Sequence, residues 1–304
     1  MADIQGGAMQ TERTAQDQRR EIRLRKTRAL LNNPLDLAVN YSIARERETF
    51  EEAFHLVYQA YTEVGLQAEN EARIRFTKYH VVPTTKVFVA VFRPELTKPD
   101  FERQNVNADK RVVGTLTLVL DSSLGMPVEQ VCAPEIQDMR DRGSRMAEVI
   151  ALAIDPQFRR HNVMMYLYKI MFEYARLRGV TDICCAVTRR HIEFYRDILL
   201  FRPLGQLLPY DAGNGLEVQG HVLNIEHAFG DSKATYSTEN FDANVHDFFF
   251  AGEVDHHINE GQPWDEAMIH YFLAEKTRFI DTLSDPEKAK IRSEYEKQNL
   301  VFPY

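Results

Sequence analysis

One charged residue inside a short apolar run constrains this chain more than any other feature. Residues 146–154 read MAEVIALAI, and from Ala147 to Ile154 the only charge is Glu148. A short apolar run of this kind marks a strand covered on both faces. Side chains alternate along a strand, which places Glu148 on one face with Ile150 and Leu152. A carboxylate there costs free energy unless it has a partner or a task. Two readings stand: a structural ion pair or strand-end residue near solvent, and a general base with a raised pKa.

The residues that follow build a unit on this strand. Asp155-Pro156 ends it, and Phe158, Arg159, Arg160, His161 and Asn162 form a basic loop. Val163, Leu167, Ile170, Met171 and Tyr174 then recur at helical spacing. Gly179 suits the end of that helix, and Arg176 and Arg178 suit the negative end of its dipole. A basic loop at a helix N-terminus is an anion site by geometry, or a solvated turn. A second apolar strand with Cys184 and Cys185, then a helix bearing Tyr195, complete a strand–loop–helix–strand–helix unit over 146–204.

The rest of the chain frames this unit. At 304 residues it is long enough for one large domain or two smaller ones. No segment reaches the roughly 18 apolar residues of a membrane helix, and the N-terminus has no apolar signal region. The three cysteines match neither a disulfide framework nor a zinc pattern, so reduced thiols and a cytoplasmic setting are expected. Residues 230–304 hold 15 acidic against 7 basic side chains, and the remainder is balanced at 30 against 30. The acidic excess therefore belongs to the tail, and nucleic acid is not an expected partner. Arg19, Arg20, Arg23, Arg25, Lys26 and Arg28 make a basic arm near the N-terminus. It is open to two readings, a solvated helix end or a contact with an acidic protein or membrane surface.

Periodicity predicts a helix from Arg47 to Gly65, with Phe50, Phe54, Val57, Tyr58 and Tyr61 recurring at three and four. These aromatics are core, or Phe54, Tyr58 and Tyr61 line a substrate pocket. Strands are expected at Val87–Phe92 and Val112–Leu120, with Gly114-Thr115 a bulge or close-approach point. A short helix is expected at Pro134–Arg140, and strands at Leu204–Pro209 and Gly220–Ile225. In the tail, Asn244–Phe250 and Asp265–Thr282 read as helices that pack on themselves, cover a tunnel or meet another copy. His246, Glu253, Asp255, His256 and His257 match no metal spacing, and no metal is expected.

The 146–204 layout resembles the acetyltransferase superfamily. Its phosphate loop reads Gln/Arg-x-x-Gly-x-Gly/Ala, and the matching positions here are Arg159, Asn162 and Met164. Four further pieces resemble the long-chain N-acyl amino acid synthases, relatives of the autoinducer synthases: AFHLVYQAYTEVG from Ala53, VVGTLTLVLDSSLGMPVEQV from Val112, RMAEVIALAID from Arg145 and RRHIEFYRDILLFRPLG from Arg189. Together they cover roughly 45–225. Autoinducer synthases carry Glu-x-x-Arg on this strand, and here Ala151 stands in place of the arginine. The fourth motif usually reads Asn-Pro-Arg-His, and here it reads Thr188-Arg189-Arg190-His191.

The resemblance implies an α/β fold, an acetyltransferase-like (GNAT) mixed sheet flanked by helices, with a helical C-terminal extension. It divides the chain into an N-terminal arm (1–40), a catalytic domain (41–228) and an acidic extension (229–304). It implies an acyltransferase taking its acyl group from the phosphopantetheine of acyl carrier protein, with no separate cofactor and with acyl-coenzyme A as the second choice. The acceptor is then the α-amine of an amino acid. An acidic carrier needs a basic landing surface, for which Arg159, Arg160, His161, Asn162, Arg176, Arg178, Arg189 and Arg190 are the candidates. Glu148 would be the base, Tyr195 the acid for the leaving thiolate and His191 an orienting group. The competing readings are that His191 caps a helix and Tyr195 packs in the core.

Overall fold

The computed structural model describes residues 38–94, 110–159, 161–236, 245–250 and 264–304. The basic arm, Arg160, and Glu253, Asp255, His256 and His257 lie outside them. Seven strands form one sheet: β1 (Val39–Ile43), β2 (Lys86–Phe92), β3 (Arg111–Leu120), β4 (Met146–Ile154), β5 (Asp182–Thr188), β6 (Arg202–Tyr210) and β7 (Leu216–Asn224). Their order is β1-β2-β3-β4-β5-β7-β6. Neighbours run antiparallel except β4 and β5, which run parallel.

Helices cover both faces. On one lie α1 (Arg47–Glu63) and α2 (Glu129–Asp141). On the other lies α3 (Val163–Leu177), followed in the chain by the short α4 (Ile192–Asp197). Strand alternation divides the core between them. Phe88, Ala90, Val113, Ala147 and Val149 pack with α3, while Val87, Val89 and Val112 pack with α1. Gly114 lacks a side chain because α3 lies on it: an added Cβ would collide with Cγ1 of Val163, the first residue of that helix. The β2–β3 register also shifts beside Gly114, between Ala90 and Val91. Close approach and bulge both hold there.

The expected face of Glu148 needs correction. Ala151 has φ +54 inside β4, and the β3–β4 register shifts opposite it. This β-bulge interrupts the alternation. Ala151 and Ala153 join the α1 cluster, whereas Leu152 and Ile154 turn to the α3 cluster. Glu148 and Leu152 therefore lie on opposite faces.

Two helices pack in succession after β7, α5 (Ile225–Tyr236) and α6 (Val245–Phe250), alongside α3 and α4. The helix expected over Asp265–Thr282 is instead three pieces: α7 (Glu266–His270), a π-turn (Tyr271–Lys276) and a 3₁₀ turn (Phe279–Thr282). The wide turn lets consecutive side chains serve different cores, Phe272 the α1 cluster and Leu273 a tail cluster with Val81, Ile291 and Tyr295. The chain closes with α8 (Asp285–Glu296), capped by a reciprocal Ser284–Glu287 box. All three cysteines are buried free thiols. Among the described residues no helix is long and apolar enough to cross a membrane.

Candidate active site

The parallel strands at the centre of the sheet part company. β4 pairs with β5 only through Met146–Asp182, Ala147–Ile183 and Glu148–Cys184. Beyond that point no ladder joins them, and the gap opens into two cavities. One, of about 620 Å³, lies between the end of α1, the N-terminus of α3 and the start of α4. The other, of about 130 Å³, lies on the Glu148 side, walled by α1, the loop carrying Arg75 to His80, and Tyr210 at the end of β6. Tyr61, Leu152, Ala186 and Tyr195 line both, so the cavities meet at the parting of the strands.

Glu148 is 1 % exposed. Its Oε2 accepts a hydrogen bond from the Val128 N–H at 2.7 Å, at the entry to α2. Its Oε1 is buried and has no hydrogen-bond partner within the protein. Burial pushes the carboxyl up to about 8, the Val128 N–H pulls it down, and Glu129 adds to the rise. Of the two readings open in the sequence, the ion pair is absent: no cation bonds Glu148 among the described residues. One oxygen is fixed, the other is without a partner, and the residue lines the smaller cavity, an arrangement that suits a proton acceptor working near neutral pH.

Tyr195 stands at the junction. Its hydroxyl is 2.8 Å from that of the buried Tyr168, and burial raises its pKa, so it remains protonated. His191 ends a 3₁₀ turn at the N-cap of α4, where its side chain makes no capping bond. Its Nδ1 lies 3.1 Å from Thr188 Oγ1, and it lines the larger cavity. The smaller cavity adds Tyr61, whose ring lies 4.8 Å under the Arg75 guanidinium. The Ala151 backbone, at the bulge, hydrogen-bonds to the Tyr61 hydroxyl.

The larger cavity gathers several expected residues. Arg159, Asn162, Arg190 and His191 all line it. Asn162 is 3 % exposed, with φ +60 and both side-chain polar atoms unpartnered. The left-handed bend favoured by glycine is thus kept by asparagine, a residue that tolerates it. Arg159 reaches Glu63 across the cavity mouth at 3.7 Å.

Other expected residues lie elsewhere. His161 packs its ring edge toward Phe158 and is not part of the cavity wall. Arg189 turns away to Glu217 at 3.0 Å. Arg176 and Arg178 sit at the far end of α3, about 20 Å along its axis from Asn162 at 1.5 Å per residue. Phe54 is core, edge-on to Phe76, His80 and Phe272. Tyr58 is buried and lines neither cavity. Of the three expected pocket aromatics only Tyr61 reaches the site. His246 bonds Ser232 Oγ at 2.8 Å inside the α5–α6 packing.

Sequence reasoning missed Arg75, Thr77, Tyr79, His80, Gln130 and Tyr210, all of which line the smaller cavity. Arg75 and Thr77 sit on irregular chain and Tyr79 and His80 on a four-residue 3₁₀ turn, where periodicity gives no signal. The only sequence cue was a basic residue among aromatics in RIRFTKYH.

Comparison with known proteins fits this geometry. The sequence profile of the N-acyl amino acid synthase FeeM matches residues 52–220. No curated protein sequence matches the chain. Among solved structures, FeeM from uncultured soil microbes, described as an N-acyl amino acid synthase, superposes with a TM-score of 0.53 at 19 % identity, over 65 % of this chain and 95 % of that one. At that identity the likeness speaks for the fold. The coenzyme A-dependent acyl-homoserine lactone synthase BjaI gives 0.43 at 13 %, over 67 % and 91 %. A GNAT-family acetyltransferase from Staphylococcus aureus Mu50 gives 0.40 at 11 %, over 62 % and 99 %. Since the profile spans more than half of the sequence, this chain belongs to the FeeM N-acyl amino acid synthase family and is an N-acyltransferase whose mixed sheet superposes on that of FeeM.

Proposed function

We propose that the protein moves a long-chain acyl group from the phosphopantetheine thioester of an acyl carrier protein to the α-amine of an amino acid. The observation that carries this reading is the meeting of two unlike cavities at the parting of β4 and β5. A thioester threaded through the larger cavity brings its carbonyl to the gap, and an amine in the smaller one approaches from the Glu148 side. Arg159 and Arg190 sit at the larger cavity, where an acidic carrier would dock. Asn162 and Met164 supply side chains where the acetyltransferase loop has small residues, which favours a protein-borne donor over free coenzyme A. No separate cofactor enters, and the cytoplasm is the setting.

The chemistry follows from the groups present. An ammonium cannot attack until it loses a proton, and Glu148 takes it directly or through water. The nitrogen adds to the thioester carbonyl, and backbone N–H groups of β4 facing the gap receive the oxyanion. As the C–S bond breaks, Tyr195 protonates the departing thiolate. The nitrogen gives up its second proton to restore Tyr195, directly or through water, leaving an amide and a free thiol. His191, which also lines the larger cavity, orients the donor.

The test is a mass-spectrometric product screen. Purified protein receives long-chain acyl carrier protein and all twenty amino acids, with acyl-coenzyme A in a parallel reaction. An N-acyl amino acid formed from the carrier thioester is the expected result. Product from coenzyme A alone would transfer the assignment to a coenzyme A-dependent enzyme. No product from either donor, with folded protein, would remove it.

A further inference from the structure

One buried hydroxyl beside the site has no part in the proposed chemistry. Tyr168, on α3, is fully buried and lines neither cavity. Its ring meets that of Tyr195 edge-on at 6.4 Å, and the Phe201 ring closes on Tyr195 at 5.5 Å. Phe172, one turn further along α3, packs on Tyr168. A phenylalanine would fill the same space, so the Tyr168 hydroxyl needs a reason of its own.

That hydroxyl lies 2.8 Å from the Tyr195 hydroxyl, its one hydrogen-bond partner among the described residues. Two hydroxyls joined by one bond place one proton in it and send the other elsewhere. Were Tyr195 the donor, the Tyr168 proton would be buried without an acceptor, a costly arrangement. Tyr195 lines both cavities, so its own proton has somewhere to point. The bond therefore runs from Tyr168 to Tyr195. Its effects on the two phenols are opposite. Burial raises both pKa values, and the bond raises Tyr168 further while pulling Tyr195 down.

Building on the proposed function, we infer that Tyr168 is a positioning residue for acyl transfer: it donates to Tyr195 Oη, turns the Tyr195 proton toward the gap between β4 and β5, and stabilises the phenolate left behind. The Tyr195 O–H bond breaks as the S–H bond forms on the departing thiolate, and the oxygen keeps the electron pair. Tyr168 keeps its own proton throughout. Its bond to that oxygen becomes a bond to an anion, the stronger kind. The second amine proton then restores Tyr195.

The experiment measures acyl transfer in a single turnover, with the donor and acceptor that give product in the screen above. Wild type, Tyr168→Phe, Tyr195→Phe and the double variant are compared. Tyr168→Phe should be about ten- to a hundredfold slower, the range for a hydrogen bond to a charged group, with the dissociation constants of donor and acceptor unchanged. Added to Tyr195→Phe, the same change should cost no more than about twofold. An equal loss in both backgrounds would mark Tyr168 as structural and overturn the inference. A wild-type rate in Tyr168→Phe beside a slow Tyr195→Phe would overturn it while leaving the proposed function intact. A wild-type rate in Tyr195→Phe would remove the acid from the proposed function as well. A measurement on the unmodified protein covers variants that fail to fold. By nuclear magnetic resonance the Tyr168 hydroxyl proton should exchange slowly with water and show a contact to the Tyr195 ring, while the Tyr195 hydroxyl proton exchanges fast. The reverse order would overturn the inference.

Discussion

The two cavities differ in more than volume. The larger takes most of its wall from consecutive elements, β4, α3, β5 and α4, within the 52 residues from Met146 to Asp197, and the rest from the end of α1. The smaller draws on α1, the 75–80 loop, the 127–130 entry to α2, β4 and the end of β6. Its loop wall is braced from behind by the C-terminal tail. Tyr295 Oη donates to the Val81 carbonyl at 2.8 Å, Lys78 pairs with Glu287 at 2.8 Å, and Phe272 stacks on Phe76. On the proposed assignment, the donor side is mostly a local motif, whereas the acceptor side depends on long-range packing that includes chain beyond residues 52–220. Damage to the tail should be felt by the acceptor, and damage at α3 by the donor.

Four substitutions put that contrast at risk. The largest effect is expected from Glu148→Gln, which keeps the Val128 hydrogen bond and removes the base. Turnover should fall by about 10²- to 10⁴-fold, measured at saturating donor. The same change should stabilise the fold at alkaline pH. The folded carboxyl is raised from 4.5 to about 8, so the folded state holds the proton more tightly than the unfolded one. Wild-type stability therefore falls as pH rises through that window, by up to about 1.4 kcal/mol per pH unit. Denaturant melts of both proteins at several pH values would read the difference.

Phe272→Ala comes next. Phe272 is fully buried among Phe50, Phe54, Phe76 and Trp264. The cost should be about 3–5 kcal/mol, with the KM of the acceptor rising more than that of the donor. A donor-side defect of equal size would break the comparison. Gly114→Val reverses the test. It drives side-chain carbon into Val163 at the start of α3 and should cost about 1–3 kcal/mol, with the donor KM the more affected. The smallest effect belongs to Arg159→Glu. That side chain is half exposed and its pair with Glu63 is loose, so stability should change by less than about 1 kcal/mol. Carrier-protein affinity should weaken and lose part of its salt dependence, while the acceptor KM stays unchanged.

The same division governed what could be read from the chain. α3 was legible because Val163, Leu167, Ile170, Met171 and Tyr174 repeat at helical spacing, and all five are buried. Glu148 was legible because it is the single charge in an apolar run. Its partner was not, since a backbone N–H at Val128 leaves no mark in the sequence. The bulge at Ala151 was also hidden: alanine gives no sign of a positive φ, and without it Leu152 is assigned to the wrong face. Phe54 and Tyr61 looked equivalent on one helical stripe. The structure separates them because Phe272 and Trp264, some two hundred residues later, cover the first and not the second. β1 escaped because five residues, VNYSI, carry too short an alternation. Arg75 escaped because it sits on chain with no regular repeat.

The central claim is that Glu148, on the acceptor side of the parted strands, takes the proton from the attacking amine. The direct measurement is kcat/KM for one acceptor between pH 6 and 10 in wild type and Glu148→Gln, taken as a ratio so that the acceptor's own titration cancels. The carboxylate form is the active one, so the ratio should climb with pH and level off above about 8, the value to which burial raises Glu148. A ratio near one and flat across the range, with both proteins folded, would show that Glu148 is not the base.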